Sequence, residues 1–224
     1  MPNHVTTILT INGPYEDIKR FVDAVNTKAK NHEGQTFDFN GVFPMPESLN
    51  ITAGGSIPDA MFALGADHPH GNPLEFTWVK EKGIRSREEF KVFMEKENPD
   101  ALAEGHKAIE NLRLYGVTDW YGWKNKNWGT KWGAYDEGEW EINGDTATIA
   151  YQTAWSPATP FYMKVSQKFP TLAFTHKYSD EGGGFVGWET IENGEITANE
   201  DPEWNSAAAI EILKELGTCV DDED

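Results

Sequence analysis

The sequence predicts an α+β fold, with a mainly antiparallel sheet and helices on one face of it. Two observations carry this prediction. Segments rich in β-branched and aromatic residues alternate along the chain with segments whose apolar residues recur at helical spacing. Extended segments at 131–142 and 146–155 flank Asn143-Gly144-Asp145, a turn sequence typical of a hairpin. A hairpin makes its two strands antiparallel, so a wholly parallel sheet is not expected.

The chain opens with a predicted strand, helix and second strand. Residues 5–11 are rich in β-branched side chains and precede the turn sequence Asn12-Gly13-Pro14. Residues 15–30 predict a helix, because apolar side chains recur along one face. That face consists of Ile18, Phe21, Val22, Val25 and Ala29. Residues 36–43 then predict a second extended segment.

Residues 47–118 are predicted to be a mostly helical insertion. Glycine and proline break this segment into short pieces, while Ser86 and Glu89 have the spacing of a capping box at a helix start. Pro99 favours the start of another helix. The apolar residues are too few to predict a core of its own. We therefore expect one domain over residues 1–224.

After the hairpin, the order of elements indicates the topology. A helix predicted after Pro157 is followed by a strand at 172–178, a meander turning at Asn193-Gly194, and a closing helix at 205–216 capped by Gly217. Without the insertion, the order is strand, helix, strand, then hairpin, helix, strand. That order is close to the split βαβ arrangement of ferredoxin-like folds.

Charge and composition restrict the class of partner. The 224 residues carry a net charge of −18, from 37 acidic and 19 basic side chains. This excess disfavours general affinity for DNA, RNA or anionic lipid. Two interpretations stay open: a surface that keeps the protein soluble, and an acidic mimic of nucleic acid offered to a DNA-binding protein. The acidic excess ends in a predicted solvated tail at 219–224.

The compartment follows from cysteine usage and hydropathy. Cys219 is the single cysteine, which excludes an intramolecular disulfide. The first residues lack the basic segment and apolar core of a signal peptide. No apolar stretch has the length of a membrane span. We therefore expect a cytoplasmic protein with no membrane partner.

Three segments resemble one known family. They read DWYGWKNKNWGTKWGAYD at 119–136, AYQTAWSPATPF at 150–161 and FPTLAFTHKYSDEGGGFVG at 169–187. Together with the opening MPNHVTTILTINGP, they are similar to the YubB ferredoxin-like family of phage, plasmid and genomic-island proteins. The resemblance implies a ferredoxin-like fold and a mobile-element setting, and it implies no reaction.

Residues 119–156 hold six of the nine tryptophans, and within them NWGTKWG has the chemistry of a binding site. Aromatic faces interleaved with cations hold flat anionic ligands such as nucleotides. The candidate ligand-binding residues are Trp128, Lys131, Trp132, Trp155 and Ser156. The alternative is that the tryptophans fill the core and Ser156 caps a helix. We expect Trp132 in the core, with Trp128 and Lys131 nearer the surface.

Catalytic and metal-binding patterns are not recognised. Asp67-His68-Pro69-His70 has no further ligand at metal spacing, and the loop at 179–184 lacks the alternating acids of a calcium loop. His176 and Tyr178 share one strand face that His4 could approach, yet a histidine on a sheet is more often structural. We expect no cofactor, no metal and no catalytic residue.

The sequence therefore favours a non-enzymatic binding or interaction protein of a phage or mobile element, which modulates a host protein or defence system in the host cytoplasm. One alternative is a small-ligand protein that sequesters or processes a nucleotide-like anionic molecule. Another is the acidic nucleic-acid mimic. A host protein is the favoured partner, and direct binding to nucleic acid is not expected.

Overall fold

A six-stranded sheet, antiparallel at every pairing, is the centre of the structure. The computed structural model describes residues 2–28 and 34–218. The sheet order is β2-β3-β1-β4-β5-β6. The strands are β1 (His4–Asn12), β2 (Glu141–Asn143), β3 (Thr146–Ala154), β4 (Ala173–Asp180), β5 (Val186–Glu192) and β6 (Glu195–Glu200). The predicted α+β class and antiparallel sheet are confirmed.

The central strand is shared by two neighbours, which produces the split βαβ unit. β1 pairs antiparallel with both β3 and β4. β3 and β4 therefore run parallel to each other, with β1 between them, and α7 (Thr159–Lys168) connects them. This is the crossover typical of a ferredoxin-like domain.

One face of the sheet carries an aromatic core under α1 (Tyr15–Val25) and α7. Val5, Leu9 and Ile11 are buried at alternate positions of β1, as the period of a strand requires. Phe21 of α1 meets Phe174 of β4 edge to face, with ring centroids 5.3 Å apart. Edge-to-face pairs of this kind stabilise an aromatic core beyond the area that they bury.

The last helix, α8 (Ala207–Leu216), packs on the opposite face of the sheet. Ile212 and Leu213 join a cluster with Val186 of β5 and Ile8 of β1. Ile8 and Leu9 are neighbours on one strand and so point to opposite faces. The expectation that all helices lie on one face is wrong for α8, because Ile8 and Val186 leave an apolar strip on the second face.

Two predicted extended segments are largely not strands. Within 36–43 the chain forms a 3-10 turn at Phe39–Gly41, because the Asp38 side chain accepts a hydrogen bond from the Asn40 amide at 2.9 Å. Within 131–142, the backbone bonds to β3 only at separate points before β2 begins, among them the isolated bridge at Tyr135 and the Gly138 amide. A continuous strand does not form there, since Asp136 turns the chain with φ of 48°. Local alternation of apolar residues therefore overestimated the sheet.

The chain divides into two compact units, Met45–Trp123 and the remainder. The first contains α2 (Ile57–Ala63), α3 (Thr77–Glu81), α4 (Arg87–Glu97) and α5 (Pro99–Tyr115), and α6 (Trp120–Asn127) crosses the division. The single domain over 1–224 and the insertion bounds 47–118 stay predictions.

Unit 45–123 has a hydrophobic cluster of its own, so the expectation of too few apolar residues is wrong. The cluster uses Ala60 and Ala108 beside large residues such as Phe62 and Phe90. A side-chain carbon at Gly105 of α5 would lie 2.9 Å from the Cβ of Ala60. Small residues let the two helices approach closely, which a count of large apolar residues does not register.

Two predicted segments, the end of the first helix and the acidic tail, extend beyond the residues that the structure describes. The predicted helix at 15–30 ends at Val25, while Ala29 and Lys30 lie outside the described residues, as do Cys219 and the tail at 219–224. Within residues 2–28 and 34–218, no helix combines the length and apolar character needed to cross a membrane.

Candidate functional site

A cleft of about 300 Å³ opens beside the tryptophan-rich segment. We call it the tryptophan cleft. Its lining includes Gln35, Asp38, Lys124, Trp128, Trp132 and Tyr135. The 3-10 turn at Phe39–Gly41 brings Asp38 to one wall, and the chain that follows α6 supplies the tryptophans. The cleft therefore combines two indoles, a phenol, one cation and one carboxylate.

Trp128 forms the buried wall of the tryptophan cleft and is only 1% exposed. Its indole Nε1 donates to the Phe43 carbonyl oxygen at 3.1 Å, and its ring meets Phe39 edge to face at 5.6 Å. An indole with its N–H satisfied and its faces covered stabilises the fold. The expectation that Trp128 lies near the surface is wrong.

Trp132 is the exposed wall, with 36% of its surface accessible, so the expectation of a buried Trp132 is also wrong. The chain turns at Gly129, where φ is 81°, and this reversal separates the two indoles. The Lys131 Nζ lies 4.9 Å from the centre of the Trp132 ring. A cation held against an exposed indole is suited to a flat ligand that carries negative charge.

Tyr135 anchors the cleft to the sheet. Its hydroxyl donates to the Thr153 carbonyl oxygen at 3.0 Å and accepts from His4 Nδ1 at 2.8 Å. Burial raises the pKa of Tyr135 to about 12, with smaller contributions from the carboxylates of Asp136 and Glu181. The phenol is therefore neutral at physiological pH, and it fixes one edge of the Trp132 ring at a centroid distance of 5.9 Å.

Lys124 lines the tryptophan cleft, with its Nζ 5.0 Å from the centre of the Trp128 ring. Burial lowers the pKa of Lys124, while the nearby carboxylate of Asp38 opposes that shift. A ligand that brought a further negative charge would favour the charged ammonium. The cleft thus has a partly desolvated cation whose charge a bound anion would stabilise.

Ser156 does not line the tryptophan cleft. It lies where the NWGTKW segment packs against the WSPATP segment. Its hydroxyl donates to the Gly129 carbonyl oxygen at 2.5 Å. A Cβ at Gly129 would lie 2.3 Å from Cδ of Pro160, so the turn in NWGTKW fits directly against the start of α7. This contact explains why NWGTKW and WSPATP occur together in the sequence.

Trp155 occupies an exposed and conformationally unfavourable position at the end of β3. It is 49% exposed, and its φ is 76°, in the left-handed region. Its amide donates to the Asn3 carbonyl oxygen at 3.0 Å. It is not among the residues that line the tryptophan cleft. The backbone is thus held by the residue that precedes β1, while the indole is exposed.

A second exposed indole lies at the same end of the sheet. Asn3, which bonds to the Trp155 amide, also donates through its side-chain amide to Asp180 at 3.3 Å. Gly183 follows in the next turn, and a Cβ placed there would lie 3.4 Å from the Trp204 ring. Trp204 is 37% exposed, and exposed carboxylates flank it along the chain. We define the sheet-end surface as Trp155, Glu181, Asp201, Glu203 and Trp204. It is aromatic and acidic.

His176 lies in a buried polar cluster that the sequence could not distinguish from a site. It is fully buried, and Nε2 donates to Glu189 Oε2 at 3.0 Å. The Thr159 hydroxyl donates to the same oxygen at 2.6 Å. Burial lowers the pKa of His176, and these hydrogen bonds hold the pKa of Glu189 low despite its own burial. The pair is a neutral imidazole and a carboxylate.

The structure brings together some of the predicted residues and separates others. Trp128 and Trp132 line one cleft, and Lys131 lies against Trp132. His4 bonds to Tyr135 and not to His176. The sequence missed Asp38, because the predicted strand at 36–43 concealed the turn that brings it to the cleft. Among the described residues, no group of three or more potential ligands is placed to hold a metal ion.

An antiparallel sheet built on a split βαβ unit defines the class of protein as ferredoxin-like α+β. Residues 127–219 match the family described as the ferredoxin-like domain in Api92-like protein. This segment contains β2 to β6, α7 and α8, and it excludes the central strand β1. The chain therefore carries a domain similar to the ferredoxin-like domain of Api92-like proteins.

Other comparisons add little. The crystal structure of a protein api92 from Yersinia pseudotuberculosis aligns with 92% of this chain and 100% of its own, at 10% identity and a TM-score of 0.45. No curated protein matches the sequence.

Proposed function

We propose that this is a non-enzymatic interaction protein that binds a partner protein through the sheet-end surface. Trp155 carries the proposal. The left-handed region costs a residue with a side chain roughly 1–2 kcal/mol, and glycine would avoid that cost. An exposed indole also lacks the favourable free energy that burial of its apolar surface would contribute. Within residues 2–28 and 34–218, Trp155 makes no contact with another ring or cation. A contact with another molecule accounts for its presence.

The chemistry of the sheet-end surface favours a basic partner. Two exposed indoles and three carboxylates lie on it. An arginine or lysine side chain can stack on an indole and pair with a carboxylate at the same time. The net charge of −18 attracts such a partner over a longer range. The partner is therefore a protein with a basic face.

The biological setting follows from the resemblance to mobile-element proteins. We propose a protein of a phage or mobile element that acts in the host cytoplasm and modulates a host protein, including one of a defence system. This step rests on analogy and not on residues. The nucleic-acid mimic is a related alternative, in which DNA and this protein compete for one basic site.

The test compares partner capture by wild type and by Trp155→Gly from a bacterial lysate. Asn193→Gly is the matched control, because Asn193 also has a left-handed φ, 48°, in the distant β5–β6 turn. We expect Trp155→Gly to lose a basic protein that the control keeps, and we expect salt to weaken capture. Equal capture by all three proteins would contradict the sheet-end proposal. Displacement of the partner by DNA would favour the mimic.

The second candidate function is binding of a small, flat, anionic ligand in the tryptophan cleft. One observation favours it: Trp132 is 36% exposed at a cleft wall, with the Lys131 ammonium against its ring. Nucleotide-like molecules combine a flat base with negative charge, so they fit this chemistry. Sequestration needs only this binding, without any reaction.

Tryptophan substitutions distinguish the two walls of the cleft. We expect Trp128→Ala to lower the free energy of unfolding by about 3–5 kcal/mol, because it removes a buried aromatic side chain. We expect Trp132→Ala to fold with a small loss and to abolish binding from a nucleotide panel, measured by thermal shift and tryptophan fluorescence. Lys131→Ala is the companion variant. A flat response of wild type to every nucleotide would contradict this function.

A further inference from the structure

A second cleft, of about 460 Å³, lies wholly within unit 45–123. Its lining includes Phe62, Asp67, His68, Asn72, Leu74 and Arg87. None of these residues belongs to the tryptophan cleft or to the sheet-end surface. We call it the arginine cleft. It combines an apolar side with one positive and one negative side chain.

Arg87 is held in this cleft without an acidic partner. Its guanidinium carbon lies 4.2 Å from the centre of the Phe62 ring. Within residues 2–28 and 34–218, no carboxylate oxygen lies within 4.0 Å of its guanidinium nitrogens. The neighbouring Glu89 accepts instead from the Arg85 amide at 2.7 Å. Stacking on an aromatic ring orients the guanidinium plane. A guanidinium group oriented in this way is suited to bind a carboxylate through two parallel hydrogen bonds.

Asp67 lines the same cleft and is not paired with Arg87. The imidazole of His68, which also lines the arginine cleft, is already engaged. Its Nδ1 accepts from the His70 amide at 3.1 Å, and its Nε2 lies 3.5 Å from Asp59 Oδ1. Two opposite charges that share a cleft without pairing match a ligand that carries both charges. Asp67 and the net charge of −18 also disfavour a ligand with several negative charges.

We infer that the arginine cleft binds a small zwitterion of the amino-acid class, with its carboxylate on Arg87, its ammonium near Asp67 and an apolar side chain toward Leu74. The Asn72 amide is a further donor for the carboxylate, since its carbonyl oxygen already accepts from the Leu74 amide. The site is independent of the proposed partner binding, so either can fail alone.

The test uses an isotope-labelled full chain and follows the amide signals of Gly71 and Asn72 on addition of leucine. Isocaproate lacks only the amine of leucine, and isoamylamine lacks only its carboxylate. We expect leucine to shift both signals, and we expect each analogue to bind roughly tenfold or more weakly, the loss of one charged hydrogen-bonded contact. Equal binding of leucine and isocaproate, or no shift with any free amino acid, would overturn the inference.

Variants assign the binding to the two charges. We expect Arg87→Gln to weaken leucine by roughly tenfold to a hundredfold, and Arg87→Lys to weaken it less, because the lysine keeps the charge without the planar fork. Asp67→Asn removes the preference for leucine over isocaproate. Arg113→Gln, on an exposed arginine paired with Glu110, is the control. If Arg87→Gln folds as wild type and binds leucine unchanged, Arg87 serves only to cover Phe62.

Discussion

At the scale of single residues, the tryptophan-rich segment contains indoles with opposite roles. Trp128 is buried and hydrogen-bonded, while Trp132 and Trp155 are exposed. The sequence predicted that this segment matters but assigned Trp128 and Trp132 the wrong way round. Spacing along the chain does not reveal a left-handed turn at Gly129, and that turn decides which indole enters the core.

Gly129 is required for two separable reasons, its φ of 81° and its contact with Pro160. Gly144 has a similar φ, 63°, and nothing within 4 Å of a Cβ placed there. We expect Gly144→Ala to cost about 1 kcal/mol from backbone strain alone. We expect Gly129→Ala to cost clearly more, roughly 2–4 kcal/mol, because a methyl group also collides with the ring.

Urea denaturation of the two glycine variants measures this difference directly. Equal losses would mean that α7 moves away from the turn at no cost. The packing of NWGTKW against WSPATP would then not explain why the two motifs occur together.

At the scale of secondary structure, the sheet elements differ in how well local signals predict them. The Asn143-Gly144-Asp145 turn predicts the β2–β3 hairpin, because glycine there supplies the φ of 63° that the turn needs. The segment at 36–43 has apolar residues at alternate positions, as a strand does, but it pairs with no strand of the sheet. Its Phe37 and Phe39 are buried in the core all the same. The local pattern thus predicts that these side chains are buried, whereas tertiary contacts determine the conformation of the backbone.

β4 and β5 are linked by the His176–Glu189 pair, which makes stability depend on pH. Burial lowers the pKa of His176 below its ordinary 6.5, so the unfolded chain takes up a proton before the folded chain does. The contribution is complete above pH 6.5 and declines as pH falls below 6.5 toward the lowered pKa of the folded state. We expect His176→Gln to remove this decline, measured by urea denaturation across that range.

The matched control is His106→Gln, at an exposed position of α5. We expect it to keep the pH dependence of wild type. A steep decline that persists in His176→Gln would place the titrating group elsewhere. Glu189 acts at lower pH, since its pKa lies below the ordinary 4.5, and its contribution is lost as pH falls through that lowered value.

At the scale of the whole molecule, the sequence predicted the sheet and the crossover better than the organisation around them. The order of hairpin, helix and strand restricts the topology, because a crossover helix must connect parallel strands. The separate cluster of unit 45–123 was missed, since its helices pack through Ala60 and Gly105. Neither cleft was predicted as a whole, because each is lined by residues distant in sequence.

Charge acts at this scale as well. Because the chain has a net charge of −18, carboxylates are abundant, and a cation that pairs with none of them is a candidate for binding an anion. Arg87 and Lys131 are held against aromatic rings, and within the described parts of the chain neither forms a salt bridge with a carboxylate. The acidic sheet-end surface has the opposite character. The described residues thus form two clefts that contain a cation and one surface that is acidic.

The central claim is that Trp155 adopts an unfavourable backbone conformation because its indole contacts another molecule. The most direct measurement is the free energy of unfolding of Trp155→Gly against wild type, by urea denaturation. We expect the variant to be equal to wild type or more stable by up to about 1 kcal/mol, because released strain offsets the added freedom of the unfolded chain. A loss of roughly 2 kcal/mol or more, toward the cost of deleting a buried aromatic, would make Trp155 a structural residue and contradict the claim.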